Sequence, residues 1–235
     1  MGNRASKGTP PKMGLVALAR SMPLSKIQVK ELMKECIVIT CGCHFQSFTI
    51  DRESFRRALM DTVPKLHDAE ILDLLFTMWD LQGNHYIQYR EFLVGISPLG
   101  CDPRDSIVDT LRFSLSLMDT AKSGCITQYN LTKVLRAINA TASYLGDKVL
   151  KNSEIDEIVR GVYRTSLAKS MKHEDVVLRL VMHPKVQEFM DGRGTNRYRP
   201  PAPKDFEEYQ SRIRMISKEH SGMGLRLSGT TLYEC

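Results

Sequence analysis

The chain is 235 residues long and carries 33 Lys and Arg against 27 Asp and Glu, a net charge of +6. Hydrophobic content of 42% is enough for a packed core of ordinary size, and no stretch approaches the roughly 18 consecutive apolar residues of a membrane-spanning helix. The excess charge sits at the ends. Residues 1–30 hold six bases and no acid, 31–191 hold 19 bases and 22 acids, and 192–235 hold 8 bases and 5 acids. A near-neutral body with basic arms lacks the basic stripe that a nucleic-acid binder carries on its folded part, so no nucleic-acid partner is expected. The first charges, Arg4 and Lys7, are not followed directly by an apolar h-region, so a secretory signal is not expected either. The six cysteines form no small-domain disulfide framework. Free thiols in a reducing, cytoplasmic setting are expected, and the sequons at Asn130 and Asn139 then carry no meaning.

In chain order, residues 1–12 are rich in Gly, Pro and base and read as a disordered arm. From Pro23 to about Phe189 the apolar spacing is helical, with almost no strand-like alternation. Ser25 caps a helix to about Thr40, and helices follow over about 52–61 and from Asp68 to Met78. Asp105 caps the next, to about Met118, and Ser153 with Asp156 forms a near capping box for a helix to about Leu167. Pro184 suits the first turn of one more short helix. Residues 191–203 are a linker by composition. Residues 204–220 are helical again, with Phe206, Tyr209, Ile213 and Ile216 about one turn apart.

Two segments of the body repeat: 78–93 and 117–132. Each has an Asp after a helix, a branched apolar residue seven later and an apolar residue twelve later: Asp80/Ile87/Phe92 and Asp119/Ile126/Leu131. Fainter copies start at Cys43, with Ile50 at the eighth place, and at Arg164, with Met171 there. Loop starts at 43, 80, 119 and 164 give a repeat of about forty residues, the helix–loop–helix period of the EF-hand. The eighth-place residues are expected to pair across loops, first with second and third with fourth.

Calcium takes about six to eight oxygens, with a bidentate Glu at loop position 12 and Gly at position 6. In the second loop Asp80, Gln82, Asn84, the Tyr86 carbonyl and Glu91 offer oxygen, but only Asp80 and Glu91 are charged. Position 6 is His85, where a left-handed turn is costly for a residue with a Cβ; the glycine has moved to Gly83. The third loop keeps Asp119 and Gly124 but has Ala121 at position 3 and Asn130 at position 12. The first loop offers Cys43, Phe45 and Ser47, and the fourth Arg164, Ser166 and Ala168, at positions 1, 3 and 5. The expectation is a set of degenerate hands kept as a scaffold, with no cofactor; a weak calcium site is left only to the second loop.

The body resembles the four-EF-hand proteins of the calcineurin-B-like branch over about residues 25–190. The start, MGNRAS, looks like the myristoylated start of calcineurin B, and DTLRFSLSLMD (109–119) like that family's entry into its third hand. Within the group, residues 50–63 and 70–97 are most similar to calaxin and related axonemal EF-hand proteins. That resemblance implies a seat on ciliary doublet microtubules, in or near the outer dynein arm docking complex. Those relatives keep some working calcium loops; this chain departs from them there, so calcium regulation is not carried over.

Gly2 fits the myristoylation pattern Met-Gly-x-x-x-Ser. One acyl chain anchors only marginally, and the bases of the arm would add attraction to an anionic membrane or to an acidic microtubule lattice. Phe206, Tyr209, Ile213 and Ile216 either fold back into an EF-hand groove or bind a neighbouring protein. Cys41, Cys43 and His44 lack the second ligand pair of a zinc site, and Trp79 reads as core. No G-x-S-x-G, P-loop or H-E-x-x-H motif is present, and the six His show no carboxylate partner by sequence. An enzyme is therefore not expected.

The fold expected is all-α: a basic arm (1–24), two degenerate EF-hand pairs (25–97 and 98–190), and a linker, helix and docking tail (191–235). The function expected is calcium-independent docking, with a partner's amphipathic helix, from a coiled-coil or microtubule-associated protein, in an EF-hand groove. A ciliary or flagellar axoneme is the favoured setting. The alternatives are a myristoylated calcineurin-B-like regulatory subunit of a membrane-associated enzyme or transporter, and a weak calcium sensor.

Overall fold

In the computed structural model, which describes residues 24–41, 48–63, 69–101, 106–145, 149–164 and 169–186, helix α1 (Lys26–Cys41) starts at the expected cap. The Gln28 N–H donates to Ser25 Oγ (3.2 Å) and the Ser25 N–H donates to Gln28 Oε1 (2.9 Å), so two otherwise unpaired donors are satisfied reciprocally. Val29, Leu32, Cys36 and Thr40 recur at helical spacing and form the buried face. Lys26 and Lys30 belong to this helix, so two of the six bases counted at the N-terminal end are not on an arm. Gly2 and the four tail residues Phe206, Tyr209, Ile213 and Ile216 lie outside the described residues.

The all-α reading holds. Helix α2 (Arg52–Thr62) is capped by Asp51, whose carboxylate accepts the Ser54 N–H at 2.8 Å. It is followed by α3 (Ala69–Trp79), α4 (Tyr89–Ile96) and a 3-10 turn over Ser97–Gly100. Then come α5 (Ile107–Met118), α6 (Gln128–Leu145), α7 (Asn152–Tyr163) and α8 (His173–Met182). Residues 184–186 form a further helical turn beginning at Pro184. Two cap assignments are corrected. Helix α5 is capped by Ser106, not Asp105, because Ser106 and Asp109 form the reciprocal box: Asp109 N–H to Ser106 Oγ (3.2 Å) and Ser106 N–H to Asp109 Oδ2 (3.2 Å). Helix α7 starts at Asn152 because Glu154 reaches back to the Lys151 N–H (2.8 Å), which puts Ser153 inside the first turn. It ends at Tyr163, before the fourth loop.

Four three-residue strands link the helices of each hand: β1 (Thr49–Asp51), β2 (Tyr86–Gln88), β3 (Cys125–Thr127) and β4 (Ser170–Lys172). They pair antiparallel as β1 with β2 and β3 with β4. Ile50 faces Ile87 and Ile126 faces Met171, the eighth-place residues of the four repeats. The helix–loop–helix units are therefore coupled in twos, as expected of EF-hands.

The described residues divide into two compact units: those up to 102 with those of 133–149, and those of 103–132 with those from 150 onward. In the first, Phe55 meets Phe76 and Phe92 edge-on (5.6 and 4.9 Å between centroids), and Trp79 meets Phe92 at 5.6 Å. Gly95 on α4 is required there, since a Cβ at that position would clash with the edge of the Trp79 ring and lie 3.0 Å from Thr141 Oγ1. The Tyr144 hydroxyl donates to the Met78 carbonyl at 2.7 Å. In the second unit Ile126, Ile155, Ile158, Val176 and Leu180 are buried together with Leu115. There the buried Tyr163 hydroxyl donates to the Ile126 carbonyl at 2.6 Å. Arg112 grips Glu174 with two nitrogens, at 3.0 and 2.7 Å.

Candidate functional site

The second loop runs from the end of α3 to the first turn of α4. Asp80 follows Trp79 and turns its carboxylate back into the loop. Its Oδ1 accepts the Asn84 N–H (3.1 Å) and its Oδ2 the His85 N–H (3.0 Å). The Asn84 side chain donates to Gln82 Oε1 (3.1 Å) and accepts the Tyr86 N–H (3.1 Å). Gly83 and His85 both adopt positive φ, 65° and 64°. The left-handed turn at position 6 is thus kept with a histidine in it, against its steric preference, and the Asp80 cap offsets that cost.

The third loop repeats the arrangement. Asp119 accepts the Ser123 N–H (3.1 Å) on Oδ1 and the Gly124 N–H (2.7 Å) on Oδ2. Positive φ again falls at positions 4 and 6, now Lys122 (52°) and Gly124 (71°). The glycine and the β-carbon-bearing residue have exchanged places between the two loops. The first position is acidic in both because a short carboxylate is the side chain that closes this turn.

The five proposed ligands are therefore only partly convergent. Asp80, Gln82 and Asn84 form one hydrogen-bonded cluster in the loop. Tyr86 contributes its backbone from β2, with its side chain exposed. Glu91, at position 12, pairs with Lys133 of α6: Nζ lies 2.8 Å from Oε1, and both side chains are about 30% exposed. Sequence reasoning missed Lys133 because no motif spacing links it to Glu91. It also read the histidines as lacking carboxylate partners. His173, at the start of α8, instead places Nε2 3.7 Å from Asp119 Oδ2, and its backbone N–H donates to the Gly124 carbonyl at 2.8 Å. Among the thiols, Cys36 is a core residue: burial pushes its pKa up to about 12, far from the thiolate a metal ligand needs. Cys41 is exposed, while Cys43 and His44 lie outside the described residues.

No family model matches the chain. It is 28% identical over 131 residues to a lysophosphatidylcholine acyltransferase 2 of Danio rerio, which covers 54% of this chain and 23% of that protein. It is 29% identical over 121 residues to a lysophosphatidylcholine acyltransferase 2B of Rattus norvegicus, covering 52% and 22%. The matched segment is under a quarter of the length of these curated relatives. Among solved structures, caltubin from the great pond snail aligns over 64% of this chain and 95% of its own, at 14% identity and a TM-score of 0.24. The likeness to these acyltransferases contradicts the expectation that the chain is not an enzyme. That expectation rested on missing catalytic motifs, and a helix–loop–helix body can share ancestry with a segment of an enzyme without carrying those motifs.

Proposed function

We propose that this chain is a protein-docking module of EF-hand architecture, held in one shape by its own contacts and independent of calcium. The observation that carries the reading is the occupancy of the two central loops: each surviving carboxylate is engaged by the chain's own N–H groups or by a basic side chain. Apolar surface for a partner is available on α1, where Ile27 and Val38 are 68% and 67% exposed and share a face three turns apart. The similarity of residues 50–63 and 70–97 to axonemal EF-hand proteins favours a ciliary or flagellar axoneme, on or near doublet microtubules. The partner element is an amphipathic helix. Detergent extraction of ciliated cells tests this. The protein should stay with the microtubules in calcium and in chelator alike; release with the detergent would sink the axonemal setting.

A second reading is favoured by one observation, the likeness to two lysophosphatidylcholine acyltransferases. In it the hands regulate, or belong to, a lipid-modifying enzyme at a membrane. Co-purification of acyltransferase activity with the detergent-released protein would select it over the first.

A further inference from the structure

Of the ligand pattern in the central loops, Glu91 at position 12 and Asp119 at position 1 each face a basic side chain from another helix. Lys133 Nζ lies 2.8 Å from Glu91 Oε1. His173 Nε2 lies 3.7 Å from Asp119 Oδ2, and among the described residues it is a buried nitrogen with no hydrogen-bond partner. The position-12 carboxylate is the one that binds calcium through both oxygens and so ties the second helix of a hand to its loop. Here a 2.8 Å charge-assisted contact engages that carboxylate instead.

We propose that Lys133 is a tethered cation that takes a free ion's place at Glu91 and holds the second hand in one state. The proposal rests on the calcium-independent reading above and names the residue that enforces it. An ammonium on a neighbouring helix has a high effective concentration at Glu91, so a free ion must displace it before binding. Its charge is single where calcium's is double, but it brings no cost of capture from solution. The loop around it keeps the backbone course of a calcium loop, with left-handed residues at positions 4 and 6. The charge on Lys133 is thus a barrier to ion binding at Glu91, added to the small number of charged ligands in the loop.

Lys133→Met tests this, because it removes the charge and keeps most of the apolar stem. Calcium is titrated into the full chain and followed by Trp79, the single tryptophan, which directly precedes Asp80. In Lys133→Met the fluorescence change should saturate at a calcium concentration at least tenfold below any seen for the unaltered chain. Lys133→Arg, which keeps the charge, should behave as the unaltered chain, and adding Glu91→Gln to Lys133→Met should abolish the gain. A Lys133→Met protein that titrates like the parent, or a gain that survives Glu91→Gln, overturns the proposal and leaves the docking reading standing. A micromolar transition of the unaltered chain that is lost in Glu91→Gln overturns the calcium-independent reading itself. Lys133→Gln serves as a second neutral variant, with circular dichroism confirming that each protein is folded.

Discussion

Replacing Asp80 with alanine removes the carboxylate that accepts the Asn84 and His85 N–H groups at 3.1 and 3.0 Å. Both bonds are solvent-exposed, so each contributes about 0.5–1.5 kcal/mol rather than the larger value of a buried charged pair. The cap also holds His85 at a φ of 64°, a conformation that costs a residue with a Cβ about 1–2 kcal/mol. Once the carboxylate is gone the loop relaxes and recovers some of that strain. The net loss expected for the first unit is about 1–2 kcal/mol, in the range of a deleted helix cap. Asp80→Asn keeps one acceptor oxygen and should fall between the two. Urea denaturation followed by Trp79 fluorescence measures both variants, in chelator and in millimolar calcium. The same loss is expected in both conditions. A loss confined to calcium-containing buffer would refute the reasoning, because Asp80 would then act as a metal ligand and not as a turn cap.

Gly95→Ala should destabilise the first unit by about 2 kcal/mol: overpacking against the Trp79 ring costs up to about 3, and the better helix propensity of Ala returns about 1. A neutral result in urea denaturation would show that the ring moves aside freely. Tyr163→Phe should cost the second unit about 1–3 kcal/mol by leaving the Ile126 carbonyl unpaired. In the parent, burial pushes the Tyr163 phenol up to about 12, so no tyrosinate absorbance from it should appear at pH 10. Stability of the second unit should also fall in two steps with acid. Burial lowers the His183 pKa, and the hydrogen bond from Lys151 N–H, with Lys185 nearby, lowers that of Glu154. Both folded values lie below the unfolded ones. Each contribution is therefore present above the unfolded pKa and lost as pH falls through the folded one, beginning below about 6.5 for His183 and below about 4.3 for Glu154. Glu154→Gln should abolish the lower step in a series of denaturation curves against pH.

The fold was legible where local chemistry decides it. The Ser25 cap, the helix from 52, and the pairing of Ile50 with Ile87 and Ile126 with Met171 all follow from local motifs and their regular spacing. The cap assignments at 105 and 153 missed because capping side chains are interchangeable at one-residue offsets, and the acidic residues Asp109 and Glu154 chose the register. The strain at His85 was legible from its missing glycine, but its compensation by two bonds to one carboxylate was not. Lys133 and His173 were invisible for a different reason. Each meets its carboxylate only through tertiary packing, and nothing in the spacing of Glu91 or Asp119 points to them. The acyltransferase likeness was likewise beyond motif reasoning, since it rests on 28% identity spread over about half the chain.

In the proposed reading the carboxylates of the second and third loops are satisfied by the chain and not by an ion. Calorimetric titration of calcium into the folded, unaltered chain tests it most directly. The expected result is no saturable heat through the micromolar range, with Glu91→Gln giving the same flat trace. A micromolar site that disappears in Glu91→Gln would contradict it and make the second hand a calcium sensor.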